Sequence, residues 1–312
     1  MTRHFQILIS ENMPSNLPAN TLIINEFSKI QNLLGQEFET ILFDARKGIH
    51  LEALAIAAGT LKMNGALIVL LSNWEKLHSQ IDEDSLRWSG SLEAITTPRF
   101  IAYFKHCIHK YGFPILYHQN DLKFDRTFQQ LFVNHNATLD QQKIIEQILQ
   151  KESELYFLTA KRGRGKSALA GLLANQLDAQ IYLTAPNKSA VKILAEFSQK
   201  EIIFIAPDEL FLALQNDPSF SENAWLFVDE AAMLPIAQLA AFSHHFKHIL
   251  FTTTIHSYEG TGRGFELKFK QKINRTFSDF ELIEPLRWSK DDALEAFIDE
   301  LLLLNVEDEF KQ

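Results

Sequence analysis

The residues best suited to chemistry in this chain are a glycine-rich turn and a pair of adjacent carboxylates. The turn comprises Gly163, Arg164, Gly165, Lys166 and Ser167. Backbone N–H groups of such a turn, together with the positive end of the following helix, can surround a phosphate where no Cβ atoms intervene. Lys166 would then contact the β- and γ-phosphates, and the Ser167 hydroxyl would bind Mg²⁺.

The carboxylates Asp229 and Glu230 directly follow an apolar run at residues 225–228. Such a run is typical of a buried strand. In phosphoryl-transfer enzymes the first carboxylate holds the Mg²⁺ shell and the second polarises the attacking water. The pair is a weak signal alone, but downstream of Gly-Lys-Ser it predicts a P-loop ATPase that binds ATP and Mg²⁺.

The sequence around the turn fits this prediction. Residues 155–159 form a short apolar run of strand type, and residues 168–174 favour a helix, so the turn has the strand-turn-helix context that the motif needs. Ala160 stands where the consensus has its first glycine. Arg287 lies late in the chain, where an arginine can stabilise charge on the γ-phosphate, so we include it among the catalytic candidates.

Gln141 has two interpretations. Thr138 is a plausible N-cap, and Gln141 three residues later could complete a capping box. Alternatively, its amide reads the adenine edge, as a glutamine upstream of the phosphate loop does in many helicase-like ATPases. The position of Gln141 before the loop favours the adenine contact.

Short apolar runs alternate with segments of helical periodicity along the chain, which predicts an α/β protein with mostly parallel sheets. A polar stretch at 119–137 divides the chain into a Rossmann-like domain without a nucleotide motif at 1–125 and a RecA-like P-loop domain at 126–312. Asp44 ends a predicted strand, where either a ligand contact or a role as a helix cap or turn residue is expected. The predicted strands are 4–10, 40–44, 66–72, 114–118, 155–159, 180–186, 201–206, 225–228 and 249–254, and the predicted helices are 51–63, 99–110, 138–149, 168–174, 189–199 and 293–304.

Composition narrows the class of protein. The formal net charge of −9 argues against a generally basic nucleic-acid binder. The single cysteine, Cys107, excludes an intramolecular disulfide and favours a cytosolic setting. The first residues lack a signal-peptide pattern, and no apolar run reaches the length of a membrane span. We therefore expect a cytoplasmic protein that makes no membrane contact.

A glycine-rich loop at 258–265 leads into the best candidate for an RNA contact. Basic groups there could bind phosphates, while the interleaved aromatic faces could stack on bases. A solvated basic face is an equally good interpretation. The residues concerned are Phe265, Lys268, Phe269, Lys270, Lys272 and Arg275.

Several of these segments together closely resemble the tRNA(Met) cytidine acetyltransferase family. The Arg-Gly-Arg-Gly-Lys-Ser turn and the Tyr-Glu-Gly-Thr-Gly-Arg-Gly-Phe run are the most distinctive, and the likeness extends over the whole chain. The segments that carry it are 43–46, 97–100, 159–171, 228–232, 252–254, 258–265 and 285–288.

The resemblance implies an enzyme that forms N4-acetylcytidine at the wobble position of elongator tRNA(Met), with acetyl-CoA as donor and ATP hydrolysis by a helicase module. It also implies ATP contacts at Gln141, at Arg287 and along the phosphate loop and its helix. The loop and helix residues are Gly163, Arg164, Gly165, Lys166, Ser167, Ala168, Leu169, Ala170, Gly171 and Leu172.

The sequence departs from the family's pattern in the region where an acetyltransferase domain is expected. In the family, a GNAT-type acetyltransferase domain follows the ATPase domain, whereas this sequence ends at Gln312, soon after Trp288. The chain is therefore either an amino-terminal fragment or a shortened protein whose acetyltransferase half is lost or separately encoded. We expect no acetyl transfer from this chain alone, and a need for acetyl-CoA only where a separate acetyltransferase half is supplied. The other hypotheses are an ATP- and tRNA-binding module without independent catalysis, and a degenerate remnant.

Overall fold

A computed structural model describes residues 3–33, 36–124, 136–151, 153–161, 163–186, 188–254, 269–286 and 288–304. The chain divides into two compact units, one formed by 1–131 with 287–312 and the other by 132–286. Each unit is built on a parallel sheet covered by helices, which confirms the predicted α/β class. Among the described residues, no helix combines the length and apolar character needed to cross a membrane.

The first unit contains a five-stranded sheet of order β2-β3-β4-β1-β7 with all pairs parallel. A two-stranded antiparallel pair, β5 with β6, lies outside it. The strands are β1 (His4–Ile9), β2 (Leu22–Ile24), β3 (Phe38–Asp44), β4 (Leu61–Leu71), β5 (Ile81–Asp82), β6 (Ile95–Thr96) and β7 (Ile115–Leu116), and the helices are α1 (Leu51–Thr60), α2 (Ser85–Trp88) and α3 (Pro98–Lys110).

Local chemistry explains where these helices begin and end. The Nδ1 atom of His50 accepts a hydrogen bond from the Ala53 N–H at 3.2 Å and so caps α1. Pro98 begins α3, where its missing N–H costs nothing. The helix predicted over 51–63 was too long, because Leu61 pairs with Phe38 and starts β4.

The second unit contains a six-stranded, wholly parallel sheet of order β10-β9-β11-β12-β8-β13. This arrangement, with helices on both faces, is the predicted RecA-like P-loop architecture. Its strands are β8 (Leu155–Ala160), β9 (Gln180–Thr184), β10 (Ile202–Phe204), β11 (Ala224–Val228), β12 (His248–Thr254) and β13 (Phe277–Leu282), and its helices are α4 (Leu139–Gln150), α5 (Lys166–Ala174), α6 (Ser189–Phe197), α7 (Pro207–Asn216) and α8 (Ile236–His245).

Two apolar clusters bury the faces of this sheet. One contains side chains of α4, α5 and α6, and the other contains side chains of α7 and α8. All six residues of β8 are buried, as expected for a strand covered on both sides. Strand β8 is therefore held rigidly in the sheet, and it leads into the glycine-rich turn at 163–167, called the phosphate turn below.

The last helix, α9 (Ala293–Leu301), belongs to the first unit rather than to the ATPase domain expected at 126–312. The Phe297 ring packs on Phe5 at 5.1 Å and on Phe113 at 5.2 Å. Before α9, the buried guanidinium of Arg3 bonds Asp292 at 2.6 Å and stacks 3.8 Å above the Trp288 ring. These contacts span the length of the chain, so local sequence patterns did not predict them. The described 3₁₀ turns are Ile30–Leu33, Leu77–Ser79, Gln119–Asp121, Pro218–Ser221 and Ala231–Met233.

Candidate functional site

The phosphate turn lies at the carboxyl edge of the second sheet. Strand β8 runs between β12 and β13, and the chain then turns into α5, which begins at Lys166. Carboxyl ends of parallel strands are where open α/β sheets bind ligands. The first N–H groups of α5 point toward the same edge, which makes it suitable for an anion.

Both glycines of the turn have left-handed backbone angles, with φ of +74° at Gly163 and +81° at Gly165. A Cβ atom on Gly165 would lie 2.3 Å from Leu286 Cδ1 and 2.8 Å from Gln141 Nε2. Gly165 is therefore required both by its backbone angle and by crowding. Ala160, which replaces the consensus glycine, ends β8 fully buried.

The two carboxylates meet the turn because β12 lies between β8 and β11. Asp229 follows β11, and its Oδ2 atom accepts a hydrogen bond from the Ser167 hydroxyl at 3.3 Å. The Thr252 hydroxyl donates to Oδ1 of the same carboxylate. Residues distant in sequence thus place a hydroxyl and a carboxylate side by side, which are oxygen ligands of the kind that Mg²⁺ prefers.

Lys166 and Glu230 are joined through Thr254. The buried Lys166 ammonium donates to Thr254 Oγ1 at 2.9 Å, and this hydroxyl donates to Glu230 Oε1 at 2.7 Å. The Thr254 N–H donates to Glu230 Oε2 at 3.2 Å. Glu230 itself has φ of +48°, an unusual angle for a non-glycine residue of the kind often found at functional sites.

The electrostatics of the site depend on burial. Desolvation raises the pKa of Asp229, and the neighbouring Glu230 charge raises it further, while Lys166 lowers it. A second positive charge near Asp229 would favour its ionised form. A metal cation bound beside Asp229 would therefore stabilise this part of the structure.

Gln141 forms the capping box that its spacing indicated. Its Oε1 accepts from the Thr138 N–H at 3.0 Å, and its own N–H donates to Thr138 Oγ1 at 3.2 Å. The amide Nε2 donates to the Gly165 carbonyl at 3.1 Å. The oxygen of the buried amide thus caps α4 and its nitrogen supports the glycine-rich turn at Gly165, while the adenine contact stays a prediction.

The remaining loop and helix residues differ in what they contact. The Arg164 guanidinium is buried and donates to the Ile283 carbonyl at 3.0 Å. The Leu169 N–H is bonded to the Gly165 carbonyl, and Leu169 and Ala170 lie in the core. Gly171 packs closely against α6, where a Cβ would lie 2.5 Å from the Leu194 carbonyl oxygen. Ala168 is buried and Leu172 is half-buried, and their nucleotide contacts stay predictions.

Several candidates lie outside the described residues, namely Arg287, the loop 258–265 and Lys268. The described part of the predicted RNA segment has internal partners. Lys270 pairs with Asp279 at 2.5 Å, Phe269 is buried, and Arg275 bonds Glu154 at 2.8 Å and the Phe246 carbonyl at 2.8 Å. These three side chains support the fold, whereas Lys272 is exposed.

Two parts of the site were not assigned from the sequence. The Leu286 N–H donates to the Gly163 carbonyl at 2.9 Å, so the segment after β13 braces the turn. No sequence signal marks this contact. The hydrogen bonds of Thr252 to Asp229 and of Thr254 to Glu230 were also not predicted.

Asp44 forms a local ion pair. Its carboxylate accepts from the Arg46 guanidinium at 2.6 Å and 2.8 Å, and this partner lowers the pKa of Asp44. The contact spans two residues and closes the turn after β3. Of the two roles considered for Asp44, the structure shows the turn role.

Comparisons with known proteins cover both units. The N-terminal family of the tRNA(Met) cytidine acetyltransferase TmcA matches residues 6–119, and the helicase domain of the RNA cytidine acetyltransferase NAT10/TcmA matches residues 157–305. The T4 bacteriophage helicase UvsW matches 64% of this chain and 86% of its own, at 10% identity and a TM-score of 0.36. This last likeness is too weak to support an argument.

Two curated relatives, both named tRNA(Met) cytidine acetyltransferase TmcA, illustrate the match. The protein of Haemophilus influenzae is 62% identical over 99% of this chain and 48% of its own length. The protein of Haemophilus ducreyi is 40% identical over 97% of this chain and 51% of its own length. The chain thus spans about half the length of these relatives. It belongs to the tRNA(Met) cytidine acetyltransferase family, of which it contains the N-terminal and helicase domains.

Proposed function

We propose that this chain binds ATP with Mg²⁺ at the carboxyl edge of the second sheet and hydrolyses the γ-phosphate. The observation that carries the proposal is the 3.3 Å contact between Ser167 and Asp229, beside the buried Lys166. These are the hydroxyl, carboxylate and cation that P-loop enzymes use. Mg²⁺, when bound, would neutralise phosphate charge, and Ser167 and Asp229 are the residues that would hold it.

The other side chains have distinct roles in this proposal. Lys166 would exchange its contact with Thr254 for the β- and γ-phosphates. The freed Thr254 hydroxyl would keep Glu230 in place, and Glu230 would orient and polarise the attacking water. Arg287 would stabilise charge that develops on the γ-phosphate.

We further propose that ATP turnover remodels RNA so that a cytidine becomes accessible for N4-acetylation. The family membership and the names of the relatives support this step. The acetylated nucleotide would be the wobble cytidine of elongator tRNA(Met). Acetyl-CoA would be used by an acetyltransferase half that acts together with this chain.

A second candidate function is binding of ATP and tRNA without independent turnover. The observation that favours it is the Lys166–Thr254–Glu230 chain of hydrogen bonds, which occupies the phosphate-binding cation and the water-polarising carboxylate together. If this arrangement opens only with an acetyltransferase half present, the isolated chain would bind nucleotide and turn over slowly. A degenerate remnant would do neither.

Steady-state ATPase assays with and without tRNA test the proposal. We expect RNA-stimulated turnover in the wild type, loss of nucleotide binding in Lys166→Ala, and binding without turnover in Glu230→Gln. Calorimetry with a non-hydrolysable ATP analogue separates the candidates. Tight binding with wild-type turnover no higher than that of Glu230→Gln would select the binding module and refute hydrolysis.

A further inference from the structure

The first unit contains a cavity of about 550 Å³ beside the segment that joins β4 to α3. This volume lies within the range of roughly 300–1,000 Å³ that is usual for ligand pockets. Its walls are mainly apolar and include Trp88, Ile95, Pro98 and Phe100. The nucleotide site belongs to the other unit, so ATP binding there does not explain this cavity.

An aromatic side chain lies exposed at the cavity. Trp88, at the end of α2, is 55% exposed, and Ile95 is 41% exposed. Exposed apolar surface that adjoins a cavity is typical of a binding site, and an indole offers a flat face for stacking. The cavity is therefore suited to a flat, partly apolar group.

A few polar groups are fixed in the cavity wall. The Asp82 carboxylate is buried and accepts hydrogen bonds from the Asp84 N–H at 3.1 Å and the Thr97 hydroxyl at 3.3 Å. Gly48 leaves room for it, because a Cβ there would lie 2.3 Å from Asp82 Oδ1. Arg87 is held by two hydrogen bonds to Asp84, each of 3.0 Å. Apolar walls with a few oriented polar groups are usual in pockets that recognise heterocycles.

The helix that starts at the cavity has a basic outer face. α3 contains no acidic residue, although the protein carries a net charge of −9. Arg99 lines the cavity and is exposed, and His106, seven residues later, lies on the same side of the helix and is also exposed. Lys105 and His109 lie to one side of this line, where both contact the Trp74 ring, and Lys110 pairs with Glu300 at 2.7 Å. Arg99 and Lys105 thus supply the positive charge of this face, and the exposed His106 and His109 rings add hydrogen-bonding groups.

We propose that the cavity and the outer face of α3 bind single-stranded RNA. One unpaired base enters the cavity and stacks on Trp88, and the flanking phosphates contact Arg99 and His106. Stacking and phosphate contacts are the two components of single-strand recognition, and neither requires a particular sequence. RNA is chosen as the ligand because this inference rests on the proposed function. The inference adds the place at which the first unit would contact that RNA.

Fluorescence anisotropy with a labelled single-stranded RNA of about 12 nucleotides tests this surface on the full chain. We expect Trp88→Ala to weaken binding about tenfold, and Trp88→Phe, which retains a stacking face, to weaken it less. Arg99→Ala should weaken binding and lower the slope of log affinity against log salt by about one. These exposed side chains can be replaced without emptying the core, and circular dichroism checks that each variant folds.

Two matched controls make the test specific. Leu92 is fully exposed on the same segment but does not line the cavity, and Lys143 is an exposed cation of the second unit. Leu92→Ala and Lys143→Ala should bind RNA as the wild type does. Equal losses in all variants, or no loss in Trp88→Ala and Arg99→Ala, would overturn the proposal. So would a wild type that binds no RNA but self-associates through Trp88.

A further variant separates this proposal from the ATPase. Lys166→Ala should lose ATP binding and keep its affinity for the labelled RNA in the absence of nucleotide. A wild type that binds RNA through Trp88 but hydrolyses no ATP would refute the proposed hydrolysis and support this surface. RNA-stimulated hydrolysis that is unaffected by Trp88→Ala and Arg99→Ala would support the proposed hydrolysis and refute RNA binding at this surface.

Discussion

The Lys166 ammonium lies 2.9 Å from the Thr254 hydroxyl, which in turn lies 2.7 Å from a Glu230 carboxylate oxygen. A single threonine at the end of β12 thus connects the cation proposed to bind phosphate to the carboxylate proposed to polarise water. A γ-phosphate would compete with Thr254 for Lys166. Nucleotide binding would therefore change the surroundings of Glu230 directly, without any movement of the sheet.

Thr254→Val tests this connection. Valine keeps the shape but removes the hydroxyl that orients Glu230, so we expect turnover to fall by about tenfold or more while ATP binding is retained. The matched control is Thr253→Val, because the buried Thr253 hydroxyl has no hydrogen-bond partner in the part of the chain that the structure describes. Equal ATPase rates for the two variants would contradict the role of Thr254.

Gly165→Ala should abolish ATP binding and destabilise the second unit by about 1–3 kcal/mol. The added methyl group would meet Leu286 and the Gln141 amide at a left-handed backbone angle. Gly112→Ala is the control, because Gly112 has φ of +66° but no atom within 4 Å of the added Cβ. Calorimetric titration with an ATP analogue should show unchanged affinity in the control and none in Gly165→Ala.

Asp292→Ala should destabilise the first unit by about 3–5 kcal/mol, because it leaves the Arg3 charge buried without its partner. It also removes the cap that accepts from the Glu295 N–H at 2.8 Å. Lys62→Ala breaks the exposed pair with Glu39 and should cost no more than about 1 kcal/mol. Urea unfolding curves compare the two, and similar midpoints would refute the importance of the buried pair.

The stability of the first unit should fall as the pH is lowered through 6.5 and below, partly because of His50. Burial lowers the pKa of His50 from 6.5, and the Asp84 charge opposes this only in part. The unfolded chain therefore binds this proton at a higher pH than the folded chain, so acid favours unfolding until the folded pKa is reached. Protonation of Nδ1 would also remove the acceptor that caps α1.

His50→Asn retains a capping acceptor but does not titrate. We expect its unfolding free energy to depend less on pH than that of the wild type. Urea unfolding on either side of pH 6.5 measures the difference. Parallel pH profiles would show that another group accounts for the acid sensitivity.

The sequence alone was sufficient for features whose physical cause is local. Gly163 and Gly165 were singled out because a phosphate turn needs residues without a Cβ, and both adopt positive φ. The capping box at Thr138 and Gln141 depends on a spacing of three residues, and it is present. The apolar run before Asp229 predicted a buried strand, and β11 is that strand.

Tertiary structure decided how side chains were paired, because their partners are distant along the chain. Arg275 carries the same charge whether it faces RNA or Glu154, and only the fold brings Glu154 to it. Residues 293–301 have the periodicity of an amphipathic helix, which does not specify that they pack on Phe5 and Phe113. The local sequence was therefore enough to identify the glycine-rich turn and the two carboxylates. The order of the strands in the sheet, which local sequence does not specify, placed Thr254 between Lys166 and Glu230.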